Sequence, residues 1–254
     1  LLGQIRLDGG SASVMGMDPW RRAVDIHERL AYVPGDTALW PGLTGGQCID
    51  VLGGIHGAMN QKRRDELVER FELDPTRRFR TYSKGNRQKV ALVAALACDV
   101  DLLILDEPTS GLDPLMEAVF QGVVTELANQ GVSVLLSSHI LAEVETLCGR
   151  VTVVRSGRGV FSGSLASLRA SAPSAIEAVT ERAPEGLERI DGVADLMVSA
   201  DPHGTRITAL VDARGLPAAL AQVARARPLQ VAVRPPSLEQ LFLEQYSDEG
   251  GERP

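Results

Sequence analysis

The sequence predicts an α/β fold built on a parallel sheet, followed by a smaller α+β unit. Two observations predict the first part. The apolar run LLIL (residues 102–105) ends abruptly in adjacent carboxylates, Asp106 and Glu107, the pattern of a buried strand closed at its carboxyl end. Apolar strands also alternate with helical patterns between residues 30 and 148, a βαβ rhythm that favours parallel pairing. A third observation predicts the second unit: beyond residues 171–173 (SAP) the pattern changes to short strands with one intervening helix.

Composition excludes several function classes. At 254 residues the chain has room for a large domain, or a domain and a smaller companion. A net charge of −7 argues against nucleic acid as the main partner, and 4% aromatic residues are too few for a base-stacking platform. No apolar run approaches the ~18 residues of a membrane span, and the chain opens without a secretory signal pattern. The three cysteines, Cys48, Cys98 and Cys148, fit neither zinc spacing nor a disulfide framework, which suits a reducing compartment. The four histidines show no metal-ligand spacing.

In chain order, residues 1–16 read as a helix tail, a turn at Asp8-Gly9-Gly10 and a short strand, 11–15. A short helical piece at 24–30 leads to LAYVP (30–34), a strand stopped by proline. Thr44 is placed to N-cap a helix through Leu52, and NQKRRDELVERF (60–71) carries its charges at helical spacing. YSKGN (82–86) opens an alanine-rich helix, 87–98. A helix start there turns backbone donors and a positive dipole end towards an anion; Ser83 adds a hydroxyl and Gly85 permits close approach to the backbone. Successive strand residues face opposite sides, so Asp106 and Glu107 are free to do different jobs. Pro108 stops the strand, Gly111 allows a turn, and Asp113-Pro114 reads as an N-cap with a first-turn proline opening a helix to about Gln130. VSVLL (132–136) forms the next strand, Ser137-Ser138-His139 its exit, and 140–148 a helix closed by Gly149. A hairpin, 151–155 with 160–162, and a helix, 165–170, complete the main unit. Strands at 174–180, 194–200 and 205–211, a helix at 216–225, a strand at 229–234 and an amphipathic helix at about 238–246 make up the rest.

DLLILDEPTSGLDP (101–114) resembles the Walker B and D-loop segment of an ABC-type ATPase. YSKGN, with Ser83 placed 23 residues before Asp106, is similar to the signature motif, although Tyr82 and Lys84 stand where leucine and the first glycine are usual. SSH, with His139 placed 33 residues after Asp106, is similar to the switch-histidine segment. LTGGQ (43–47) mimics the signature but lies 59 residues before Asp106, so a capped helix start is the better reading. The order and spacing of the three elements identify residues 1–170 as resembling the ATP-binding subunit of a bacterial ABC transporter, nearest to exporters with a separate ABC-2 type membrane subunit. The phosphate-loop pattern GxxxxGK[ST] does not occur in the 254 residues; the expectation is that the chain starts just beyond it, a disabled nucleotide site being the alternative.

The resemblance implies a P-loop NTPase core, residues 1–170, with a helical subdomain at about 44–98, and an accessory α+β domain at 171–254. It implies ATP and Mg²⁺ as cofactors, with Asp106 on the metal, Glu107 as general base, and His139 orienting the water and γ-phosphate. Ser83, Lys84, Gly85 and Asn86 would meet ATP held by a second ATPase subunit, most simply in a homodimer, and Asp113 would help join the two sites. Gly35-Asp36 stands where the family usually has a glutamine, leaving Asp36 as the side chain nearest to that role. The implied partner is a membrane permease, the implied location the cytoplasmic face of the cell membrane, and the implied work ATP-driven export. A soluble ABC ATPase of translation or repair, and a non-catalytic remnant that only binds a partner, are the alternatives.

Overall fold

A computed structural model describes residues 1–57, 59–170 and 173–235. The chain forms two compact units, residues 1–147 and a second beginning at Cys148.

The first unit is built on a three-stranded parallel sheet. Helix α1 (Ala23–His27) precedes strand β1 (Leu30–Val33); helices α2 (Gly45–His56), α3 (Gln61–Arg70) and α4 (Lys84–Leu96) intervene before β2 (Leu102–Asp106). Helix α5 (Pro114–Asn129), β3 (Ser133–Ser137) and α6 (Leu141–Leu147) follow. The strands lie in the order β1-β2-β3, with Val33 opposite Leu105 and Asp106 opposite Ser137. Pairing is parallel because each connection crosses over through helices and returns at the same end of the sheet.

Strand β2 is covered on both faces. Leu103 and Leu105 join Ala31 and Val33 in a core with α4 and α5, where Leu92, Leu96 and Phe120 are fully buried. Ile104 faces the other side with Leu30, Val14 and Ile26 of α1. Burying a side chain such as Phe120 stabilises by roughly 1.5–3 kcal/mol, so these contacts set the strand's position. A bidentate pair from Arg70 to Glu126 (2.8 and 3.0 Å) ties α3 to α5.

The helical segment also explains LTGGQ. Thr44 and Gln47 form a reciprocal capping box at the start of α2. Gly45 is there because Tyr82 packs on it: an added Cβ would sit 2.3 Å from the phenol oxygen, which is held by the Asp74 carbonyl. Gly46 lies against the Pro75 carbonyl, to which its N–H donates at 2.8 Å. Both glycines serve packing, as expected for a capped helix start.

The second unit begins with a hairpin, β4 (Arg150–Arg155) and β5 (Arg158–Ser164), then α7 (Leu165–Ala170). Strands β6 (Ser174–Thr180), β7 (Val193–Asp201) and β8 (Gly204–Val211), helix α8 (Leu216–Arg225) and β9 (Pro228–Arg234) follow. The four strands form an antiparallel sheet in the order β7-β8-β6-β9. This is a split βαβ arrangement whose first helix is reduced to one tight turn, Leu187–Arg189. Its core joins Ile176, Ile207 and Val211 to Ala219 and Val223 of α8.

Two expectations fail at the start of the chain. Residues 1–16 form neither a helix nor a strand; Val14 and Met17 make a single two-way bridge. A strand needs a neighbouring ladder, and this stretch has none among the described residues. The helix expected at 238–246 lies outside the described residues.

One buried acid stands out. Glu143 of α6 is only 3% exposed, and burial pushes its carboxyl above the usual carboxylate range. The charges of Glu117 and Glu107 add to the shift, against the nearby hydroxyls of Ser138 and Thr109. Folding therefore favours the neutral form. The stability tied to it is complete below the ordinary value of 4.5 and is lost as pH rises through the folded value.

Two predictions follow from these packing details. Gly45→Ala should lower stability by about 1–3 kcal/mol in denaturant unfolding, while Gly54→Ala in the same helix, with open space around it, should raise it by about 0.5–1 kcal/mol. Equal effects would contradict the Tyr82 contact. Glu143→Gln should raise the melting temperature at pH 8 and change it little near pH 4; a shift independent of pH would show that the charge of Glu143 is not the cause.

Candidate functional site

The site forms where β2 and β3 end together. Because Asp106 is opposite Ser137, the Ser137 hydroxyl donates to the Asp106 carboxylate. The Glu107 N–H then donates to both the carbonyl (3.1 Å) and the hydroxyl (3.2 Å) of Ser137. Glu107 leaves the strand with φ at +48°, a left-handed conformation uncommon for a residue with a side chain. Such backbones cost of order 1–3 kcal/mol and persist where the surroundings fix them. Here the two bonds that the Glu107 N–H donates to Ser137 do so. The result is that the Glu107 carboxylate meets Nδ1 of His139, which projects from the exit of β3. The His139 side chain is 74% exposed, so its position rests on Glu107 rather than on packing.

On the β1 side, Gly35 lies against this pair. An added Cβ would come within 3.3 Å of the Asp106 carbonyl oxygen and of Glu107 Cβ. Tyr32 of β1 approaches Asp106 from the sheet face; burial, reinforced by the Asp106 charge, raises its phenol above the ordinary value. A cleft of about 410 Å³ opens beside Asp106, with Leu2, Ile5, Tyr32, Leu135 and Ser137 among its walls.

The second cluster is built on the start of α4. Ser83 caps the helix, accepting the Asn86 N–H at 3.3 Å. Lys84 Nζ donates to the Ser110 hydroxyl at 2.8 Å. Gly85 was expected to let an anion reach the backbone; within the chain it lets the Gly111 carbonyl do so, at 2.3 Å from where a Cβ would be. Gly111 has φ at +83°, which only a glycine adopts without strain. The turn after β2 is thus pressed onto the start of α4. Asp113 caps α5, one carboxylate oxygen accepting the N–H groups of Leu115 (3.1 Å) and Met116 (3.0 Å).

The structure therefore joins Asp106, Glu107 and His139 in one cluster, and Lys84 and Gly85 with the turn that follows β2 in another. Asp36 does not line the cleft beside Asp106. It lines a pocket of about 170 Å³ with Thr37, Tyr82, Lys84, Arg87 and Gln88. Of the basic residues near YSKGN, Arg77, Arg78 and Arg80 are exposed, with Arg77 lying over the Tyr82 ring, while Arg87 is half-buried over Phe79 and Lys89 is buried. Sequence reasoning missed three residues, Ser137, Tyr32 and Gln88. Only Ser137 left a signal, as the serine two places before His139 at the strand exit.

The donor set suits a hydrated Mg²⁺: one carboxylate, Asp106, oriented by the Ser137 hydroxyl. Mg²⁺ keeps several waters and takes few protein ligands. Among the described residues no group of three or more His, Cys, Asp or Glu gathers into a metal cage, and no helix is long and apolar enough to cross a membrane.

Residues 1–110 match the family described as ABC transporter. An uncharacterized ABC transporter ATP-binding protein of Synechocystis is 31% identical over 98% of this chain and 71% of its own length. A daunorubicin resistance ATP-binding protein of Streptomyces coeruleorubidus is 34% identical over 96% of this chain and 81% of its own. The solved ATP-binding subunit of an ABC transporter superposes with a TM-score of 0.61 at 28% identity, over 65% of this chain and 70% of that one. The chain belongs to the ATP-binding proteins of ABC transporters.

Proposed function

We propose that the protein hydrolyses ATP to drive export through a separate ABC-2 type membrane permease, working as a homodimer on the cytoplasmic face of the membrane. The observation that carries this reading is the contact between the Glu107 carboxylate and His139 at the exits of two adjacent parallel strands.

In this reading Glu107 accepts the proton of the attacking water, and His139, held at Glu107 through Nδ1, orients that water and the γ-phosphate. Proton-transfer help of this kind is worth roughly 10²–10⁴-fold. Asp106 would hold Mg²⁺, with the Ser137 hydroxyl fixing its carboxylate; when bound, the ion neutralises charge on the phosphates. Ser83 and the first turn of α4 present backbone donors at a helix start, suited to a phosphate brought by a second subunit. Asp36 sits beside Lys84 and Arg87, so we assign it to that surface rather than to the metal. Asp113 lies at the head of α5, where we place contact between the two subunits. Residues 1–170 would form the ATPase domain, and 171–254 an accessory module. Relatives named for daunorubicin resistance support a drug-like cargo.

Turnover is the test. Glu107→Gln should lower ATP hydrolysis by about 10²–10⁴-fold while nucleotide binding persists; undiminished turnover would remove Glu107 as the base. Co-purification of a membrane permease with the protein checks the transport assignment.

A further inference from the structure

Gln88 is buried to 2% exposure on α4, and both ends of its amide are used. The Thr37 hydroxyl, itself buried, donates to Oε1 at 2.8 Å. Nε2 donates to the Pro108 carbonyl at 3.1 Å. One side chain therefore bridges three segments: α4, the loop leaving β1 and the turn leaving β2. The two loops it holds are those that flank the reacting carboxylates. Thr37 is two residues from Gly35, which abuts Glu107, and Pro108 follows Glu107 directly. Neither loop has regular secondary structure of its own at these points.

We propose that Gln88 is a positioning residue: it fixes the backbone on both sides of Glu107 to the start of α4, so that the geometry of the Glu107–His139 pair depends on where α4 sits. A buried amide with both ends bonded is well suited to this. Losing either partner leaves a desolvated polar atom unpaired, so each of the two bonds is costly to break. The Lys84–Ser110 bond and the Gly85–Gly111 approach lie along the same contact, and bring α4 and the β2 exit turn together a second time. A displacement of α4 would consequently be felt at the carboxylates before any side chain of the site itself moved.

Hydrogen–deuterium exchange on the 254-residue chain tests the bridge without reference to catalysis. Gln88→Met preserves the side-chain volume and removes both bonds. Amides at residues 35–38 and 109–112 should exchange about tenfold faster, while those at 91–96 of α4 stay unchanged. Thr37→Val should loosen residues 35–38 alone, and Thr37→Ser, which keeps the hydroxyl, should behave as the parent chain. Unchanged exchange at both loops, or a uniform rise across α4 and the sheet, would overturn the proposal, because Gln88 would then be packing only. A second arm rests on the reading of Glu107 as the base. In the intact protein Gln88→Met should lower kcat about tenfold with KM for ATP within about twofold. Loss of turnover control at Glu107 with the exchange pattern intact would sink that reading and leave the bridge standing. An equal rise in KM would instead show that Gln88 acts on nucleotide binding.

Discussion

The register between β2 and β3 is the constraint on which the site depends. Placing Asp106 opposite Ser137 lets one serine bond the carboxylate before it and the backbone after it. Shifting a strand by one residue turns every side chain to the opposite face. The apolar alternation of Leu103 and Leu105 against Ile104, packed on opposite sides of the sheet, therefore holds the chemistry in place from a distance. The core around Phe120 and Leu96 supports the site in this sense.

Around that register the molecule uses small residues where backbones must meet. Gly35 meets Glu107, Gly85 meets Gly111, and Gly45 admits Tyr82. The first joins the loops leaving β1 and β2, the second fastens α4 to the β2 exit turn, and the third packs the helical segment on itself. The Arg70–Glu126 pair adds an exposed link, of modest worth in water, farther along α5. Interiors packed in this way pass strain from one element to the next rather than absorbing it.

Much of the fold was legible because its signals are local. The apolar run at 102–105, the Asp113-Pro114 start of α5 and the period-two strands of the second unit each carry their own physics in a few residues, and the structure forms all of them. Asp106, Glu107 and His139 were legible as strand exits at regular spacing. What stayed hidden was relational. Gln88 reads as an ordinary polar residue in a helix, and only the folded chain shows Thr37 and Pro108 meeting its two ends. Gly85 was legible as a place of close approach, but the sequence does not say what approaches. The strand expected at 11–15 failed for a related reason: propensity proposes a strand, and a neighbour must supply the ladder.

The left-handed backbone of Glu107 has a practical consequence for dissecting this site. A side chain replaced there is read through two filters at once, the carboxylate it removes and the φ of +48° it must still occupy. Glutamine passes the second filter about as well as glutamate. Valine or isoleucine would not, since branching at Cβ makes that conformation costly, and glycine would relieve it altogether. An alanine or valine scan would therefore mix lost chemistry with altered backbone energy, and a glycine variant could gain stability while losing its reactive group. At this position a rise in thermal stability would report the release of the left-handed backbone, and a loss of turnover, in the reading proposed above, the removal of the carboxylate.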